Sequence, residues 1–134
     1  MQLDINNKVI DIKFGFKFAE KMNEKYYQED ESGIKAGIGI EAAYSYLRTG
    51  DYTKLVEVIE AGQLSSQVKA TKNEIIDFLD NCEDLEQLAN DFLELLLTSG
   101  FSKKKATEAK TRIEQGEKLQ KAMMEAMANA QSKK

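Results

Sequence analysis

Apolar residues change period along this chain, and each change marks an element. In the first segment they alternate: Leu3 and Ile5, then Ile10, Ile12 and Phe14. A period of two lines one face of a strand. Asn6-Asn7 lies between the two runs, and asparagine tolerates the left-handed backbone that a tight hairpin turn needs. The pattern predicts a β-hairpin. An isolated hairpin is marginal in water, so later elements must cover its apolar face.

After Gly15 the period lengthens. Phe18, Ala19, Met22 and Tyr26 recur at three- and four-residue steps, with Glu20, Lys21, Glu24 and Lys25 between them. This predicts an amphipathic helix of roughly three turns that ends near Tyr27. Phe16 keeps the strand period of Phe14 but stands at the helix entrance. There it is expected to staple hairpin to helix; the competing reading makes it the centre of a partner surface. The polar run QEDESG reads as a loop.

Ile40, Ala43, Tyr44 and Leu47 form the next helical stripe, closed by Gly50, with Asp51 placed to cap a following helix that carries Leu55, Val56, Val58 and Ile59 and stops at Gly62. Thr71-Lys-Asn-Glu74 is a capping-box sequence, ahead of a short helix with Ile75, Ile76 and Leu79 inward. Leu85, Leu88, Ala89, Phe92, Leu95 and Leu96 make a wide apolar stripe, with Gly100 expected as its C-cap. The fold class predicted is mainly α: an N-terminal β-hairpin packed on a bundle of about five helices, with a helical or flexible basic C-terminal tail.

Charge sets the tail apart. Residues 101–134 carry nine Lys/Arg against four Asp/Glu, whereas residues 1–100 carry ten against nineteen. The division expected is a body at 1–100 and a tail at 101–134, the tail separable without unfolding the body. Ile113, Leu119, Met123 and Met127 give the tail a thin apolar stripe interrupted by Gly116. Such a stripe buries little by itself.

Composition narrows the chemistry. There is no histidine, no proline and one cysteine, Cys82. An intrachain disulfide and a Cys/His zinc site are therefore excluded, and the commonest general base is missing. The carboxylate groups near Gln28–Glu31 and Cys82–Glu86 offer metal or acid–base chemistry only against the simpler reading of a solvated loop and a helix start. Gly-Ile-Lys-Ala-Gly-Ile-Gly at 33–39 lacks the Gly-Lys-Ser/Thr ending of a phosphate loop; close helix packing and loop flexibility explain its glycines better. The net charge of −4 argues against nucleic acid as partner, and no apolar run approaches membrane-spanning length. No catalytic, cofactor-binding or metal-ligating residue is assigned, and no cofactor. The candidate partner-binding residues are Phe16, the lysine run Lys103, Lys104 and Lys105, and the stripe Ile113, Leu119, Met123 and Met127.

The order of segments adds a resemblance. A short hairpin leads into KFGFKFAEKMNEKY; YLRTGDYTKLVEVIEAG follows a glycine-containing loop; then come TKNEIIDFLDNCEDLEQLANDFLELLLTSG and a charged tail. Over roughly residues 1–100 this resembles the tail assembly chaperones of long-tailed bacteriophages, in the group common in phages of Gram-positive bacteria. The resemblance implies a small, largely helical, non-enzymatic protein of the infected host's cytoplasm. Such proteins bind the tape measure protein, help recruit tail tube protein and are absent from the mature virion. The acidic body and basic tail also permit copies to associate as a homo-oligomer. The alternative is a structural minor tail or connector protein retained in the virion.

Overall fold

The structure, a computed structural model, describes residues 1–132; Lys133 and Lys134, counted in the basic tail, lie outside the described residues. The hairpin forms as predicted. Strand β1 (Gln2–Ile5) pairs antiparallel with β2 (Lys8–Asp11), with Leu3 opposite Ile10. Asn6 and Asn7 take φ of 51° and 63°, both left-handed, as a two-residue turn matched to strand twist requires. Leu3, Ile5, Ile10, Ile12 and Phe14 are all buried, while Val9 and Asp11 between them face solvent.

Helix α1 (Phe16–Lys25) presents Phe18, Ala19 and Met22 to the core. The segment after it differs from the expected loop. Tyr27–Glu29 and Lys35–Gly37 form a second antiparallel hairpin, β3 and β4. Its residues are too polar to signal a strand by alternation. The turn is instead built by Asp30, whose carboxylate accepts from the Ser32 hydroxyl (2.6 Å) and from the Ser32 and Ile34 amides. Those bonds, the Ser32 hydroxyl first, hold its pKa below the ordinary range.

Helix α2 (Gly39–Arg48) lies close against α1. The Gly39 amide donates to Asn23 Oδ1 at 2.7 Å, and a Cβ at Gly37 or Gly39 would collide with Asn23 or Met22. The glycines of this stretch thus serve helix packing. A left-handed Gly50 (φ 84°) ends the chain's run through α2. A 3-10 turn (Tyr52–Lys54) enters α3 (Leu55–Gly62); Asp51 precedes that turn but its side chain caps no backbone amide. The capping box at Thr71/Glu74 is complete and opens α4 (Lys72–Asp80), where Ile75 and Leu79 are buried and Ile76 half-buried. Asp84 caps α5 (Leu85–Thr98) by accepting from the Gln87 amide at 3.0 Å. Gly100 is not its C-cap: Ser99 fills that position with extended backbone.

Among the described residues the α-helices number six, because the tail forms one continuous helix, α6 (Lys103–Ser132). It begins inside the core. Ser102 is fully buried and donates to the Leu96 carbonyl at 2.7 Å; Ala106 and Ala109 are buried, and Ile113 packs partly against the same cluster. Alanines allow α6 to sit close on α2 and α5. The core therefore runs past residue 100 as far as Ile113.

Two long-range links fix the frame. Phe14 is buried with its ring centroid 4.4 Å from that of Phe18 and 5.8 Å from that of Phe92, and a Cβ on Gly62 would stand 3.1 Å from it. Glu74 accepts from the Thr71 amide (2.9 Å), from Lys8 Nζ (2.9 Å) and from the Asn6 side chain, tying α4 to the first hairpin turn.

Phe14→Ala should cost about 3–5 kcal/mol in urea unfolding, whereas Phe16→Ala, whose ring is 79% exposed, should stay within about 0.5 kcal/mol of wild type. The Thr71 amide, with Lys8 and Asn6, lowers the Glu74 pKa from 4.5 to about 2. A depressed carboxylate stabilises the fold above its unfolded pKa and loses that effect as pH falls through the folded one. The stability margin of wild type over Glu74→Gln should therefore hold at neutral pH, shrink below pH 4.5 and close near pH 2, as read from denaturation midpoints across that range.

Candidate partner-binding surface

The residues singled out from the sequence fall on two surfaces joined by α6. Phe16 is the first residue of α1, and its ring does not staple the hairpin. Once the helix starts at Phe16 the helical period applies, and it sets this side chain outside the arc of Phe18, Ala19 and Met22. The exposed ring stacks instead on Phe101, with centroids 4.3 Å apart at 40°. Phe101 was not foreseen; nothing in the sequence links it to a residue so distant.

Lys103, Lys104 and Lys105 form the exposed first turn of α6. Lys105 Nζ lies 3.9 Å from Glu41 on α2. Lys104, Lys105 and Phe101 border a cleft of about 190 Å³ whose walls include Ala19, Asn23, Gly37, Ile40 and Glu41.

The second surface is the distal half of α6. Ile113 belongs to the docked part of the helix, and Arg48 approaches Glu117 at 3.8 Å where the helix leaves the body. From Gln115 to Gln131 every residue is exposed, which is roughly 25 Å of helix. Leu119, Met123 and Met127 stand there, 58–64% exposed, and Met124 with them. Gly116 does not interrupt the helix. Met127 follows Ala109 by eighteen residues, about five turns. Met127 thus continues the face that docks on α2 and α5, with Met123 and Met124 on either side of it and Leu119 at its edge.

The remaining titratable groups make structural ties. In a cleft of about 330 Å³ between α1 and α3, Tyr26 Oη donates to Glu57 at 2.5 Å and Lys25 pairs with the same carboxylate. Burial, then the Glu57 contact, pushes the Tyr26 pKa up to about 12. Burial opposes ionisation of Glu57, but its bonds from Lys25 and Tyr26 outweigh that and lower its pKa. The phenol therefore stays protonated at neutral pH and serves as a hydrogen-bond donor to Glu57. Cys82 is half-buried against the core. Among the described residues no group of three or more Cys, Asp or Glu side chains is placed to hold a metal ion, and no helix is long and apolar enough to cross a membrane.

The small helical body thus presents an exposed aromatic pair and a projecting helix with exposed apolar residues. The family follows from comparison: the chain belongs to the phage tail assembly chaperone family, whose model, described as phage tail assembly chaperone protein (TAC), matches residues 2–111. The match takes in the body and the docked turns of α6 and ends just before the helix leaves it. Comparison with curated proteins and with solved structures gave no match.

The packing of Ser102, Ala106, Ala109 and Ile113 separates two truncations. Removing residues 116–134 should leave the thermal midpoint nearly unchanged. Removing 101–134 strips part of the core and should cost about 2–5 kcal/mol. Differential scanning calorimetry of the two truncated chains distinguishes these outcomes.

Proposed function

We propose that this chain is a non-enzymatic tail assembly chaperone that holds the tape measure protein during tail morphogenesis and brings tail tube protein to it. The observation that carries this reading is the projecting half of α6. Leu119, Met123, Met124 and Met127 remain exposed on a helix that the body does not cover. An amphipathic helix of this kind supplies one half of a helix-to-helix interface. Methionine side chains are flexible and polarisable, so they fit apolar partners of irregular shape. A tape measure protein offers long helical apolar surface, and covering it transiently is the work of a chaperone.

On this reading the chain acts in the host bacterial cytoplasm and leaves no copy in the finished virion. The basic α6 and acidic body also let copies associate along one client. A connector or minor tail protein, by contrast, would be found in purified virions, which mass spectrometry decides.

Co-expression with tape measure fragments from the same phage tests the reading. The full chain should retain a fragment on affinity capture. Leu119→Glu/Met123→Glu, which places charge on the stripe without touching the body, should lower retention at least about tenfold, equivalent to about 1.4 kcal/mol. Equal retention by the doubly substituted chain would sink the proposal.

A further inference from the structure

We infer that the junction of α1 and α6 is a second docking surface, one that takes an acidic peptide segment anchored by a tyrosine or tryptophan. This inference goes beyond the chaperone reading and does not rest on the distal half of α6. Phe16 and Phe101 come from distant parts of the chain, yet the fold sets their rings in contact at the surface. Exposed aromatic pairs of this kind are typical anchors of protein interfaces. The cleft beside Phe101 has room for one large side chain and is walled by Ala19 and Ile40 on its apolar side.

Glu41, one of the residues lining the cleft, carries an unmet acceptor. Glu41 Oε1 is buried with no hydrogen-bond partner, while Oε2 has only Lys105, at 3.9 Å. A buried acceptor without a donor is unfavourable. A tyrosine hydroxyl or an indole N–H is an aromatic group that brings the missing donor. An anchor of that type can lie against Phe101 and donate to the Glu41 carboxylate once that group turns toward the cleft.

Charge selects the flanks of the segment. Lys13, Lys17, Lys103 and Lys104 are exposed around the aromatic pair, and the Lys13 side chain runs across Gly15, next to Phe16. Glu20 and Glu24 are the opposing exposed charges on α1, and Glu24 is paired with Lys21. The patch is thus locally positive on a body that is net acidic. An acidic segment of polypeptide is attracted here, whereas a long polyanion meets repulsion from the rest of the body.

Fluorescence anisotropy with short labelled peptides tests this. The probe has a central tyrosine flanked by Asp and Glu; comparison probes carry Phe for the tyrosine, or Lys for the acids, and a short oligothymidine stands for nucleic acid. The full chain should bind the acidic tyrosine probe, more weakly as salt rises. Phe16→Ser and Lys104→Glu should each weaken it about tenfold, with circular dichroism melts unchanged. Replacing the probe's tyrosine by Phe should weaken binding to wild type but not to Glu41→Ala. The inference is overturned if the acidic probe does not bind at millimolar concentration. It is equally overturned if the lysine probe or oligothymidine binds as well, or if the Phe16, Lys104 and Glu41 variants bind like wild type.

Discussion

The structure depends on one constraint: the chain must pass from strand to helix at Gly15 while Phe14 stays buried. Phe14 is the last residue of the strand period and the meeting point of three elements. Its ring reaches Phe18 on α1 and Phe92 on α5, and Gly62 at the end of α3 leaves space for it. The Lys13 amide, one residue earlier, donates to the Gly62 carbonyl at 2.9 Å. A two-stranded hairpin has too little apolar face to persist alone. Here that face becomes the floor on which the helices assemble, and its register keeps Phe14 inside. A slip by one residue would turn Phe14 out.

Much of the body was legible because its signals are local. The Asn6-Asn7 turn, the Thr71/Glu74 capping box and the stripe of α5 each state their own geometry within a few residues. What the sequence concealed depends on contacts between distant residues. The second hairpin has no alternation to betray it and is organised by the hydrogen bonds of Asp30. Phe16 sits where strand and helix periods overlap, and only the start of α1 decides between them. Its partner Phe101 lies beyond the reach of any periodicity argument. The candidate surface was accordingly half visible: the exposed apolar residues of α6 stood out, while the pairing that assembles the α1–α6 junction did not.

The tail shows why composition alone misleads about domain structure. Lys, Ala, Gln and Glu favour helix but bury little, so the segment reads as an appendage. Yet alanine lets a helix approach its neighbours closely. Ala106 and Ala109 do so against α2 and α5, after Ser102 has satisfied its hydroxyl on the Leu96 carbonyl. The small side chains that weaken the hydrophobic signal are the ones that permit docking.

A continuous α6 has a further consequence. A helix whose first turns are locked into the core and that runs unbroken to Ser132 cannot fold its distal half back onto the same body. The stripe of Leu119, Met123 and Met127 therefore cannot be covered from within the chain while the helix is intact. Keeping these three side chains and Met124 in water gives up the stabilisation that their burial would bring. The body does not need that stabilisation, since its core closes at Ile113. The distal helix is thus free of any folding role, and its apolar face is available to another molecule without unfolding anything. The exposed apolar surface is thereby separated from the core that folds.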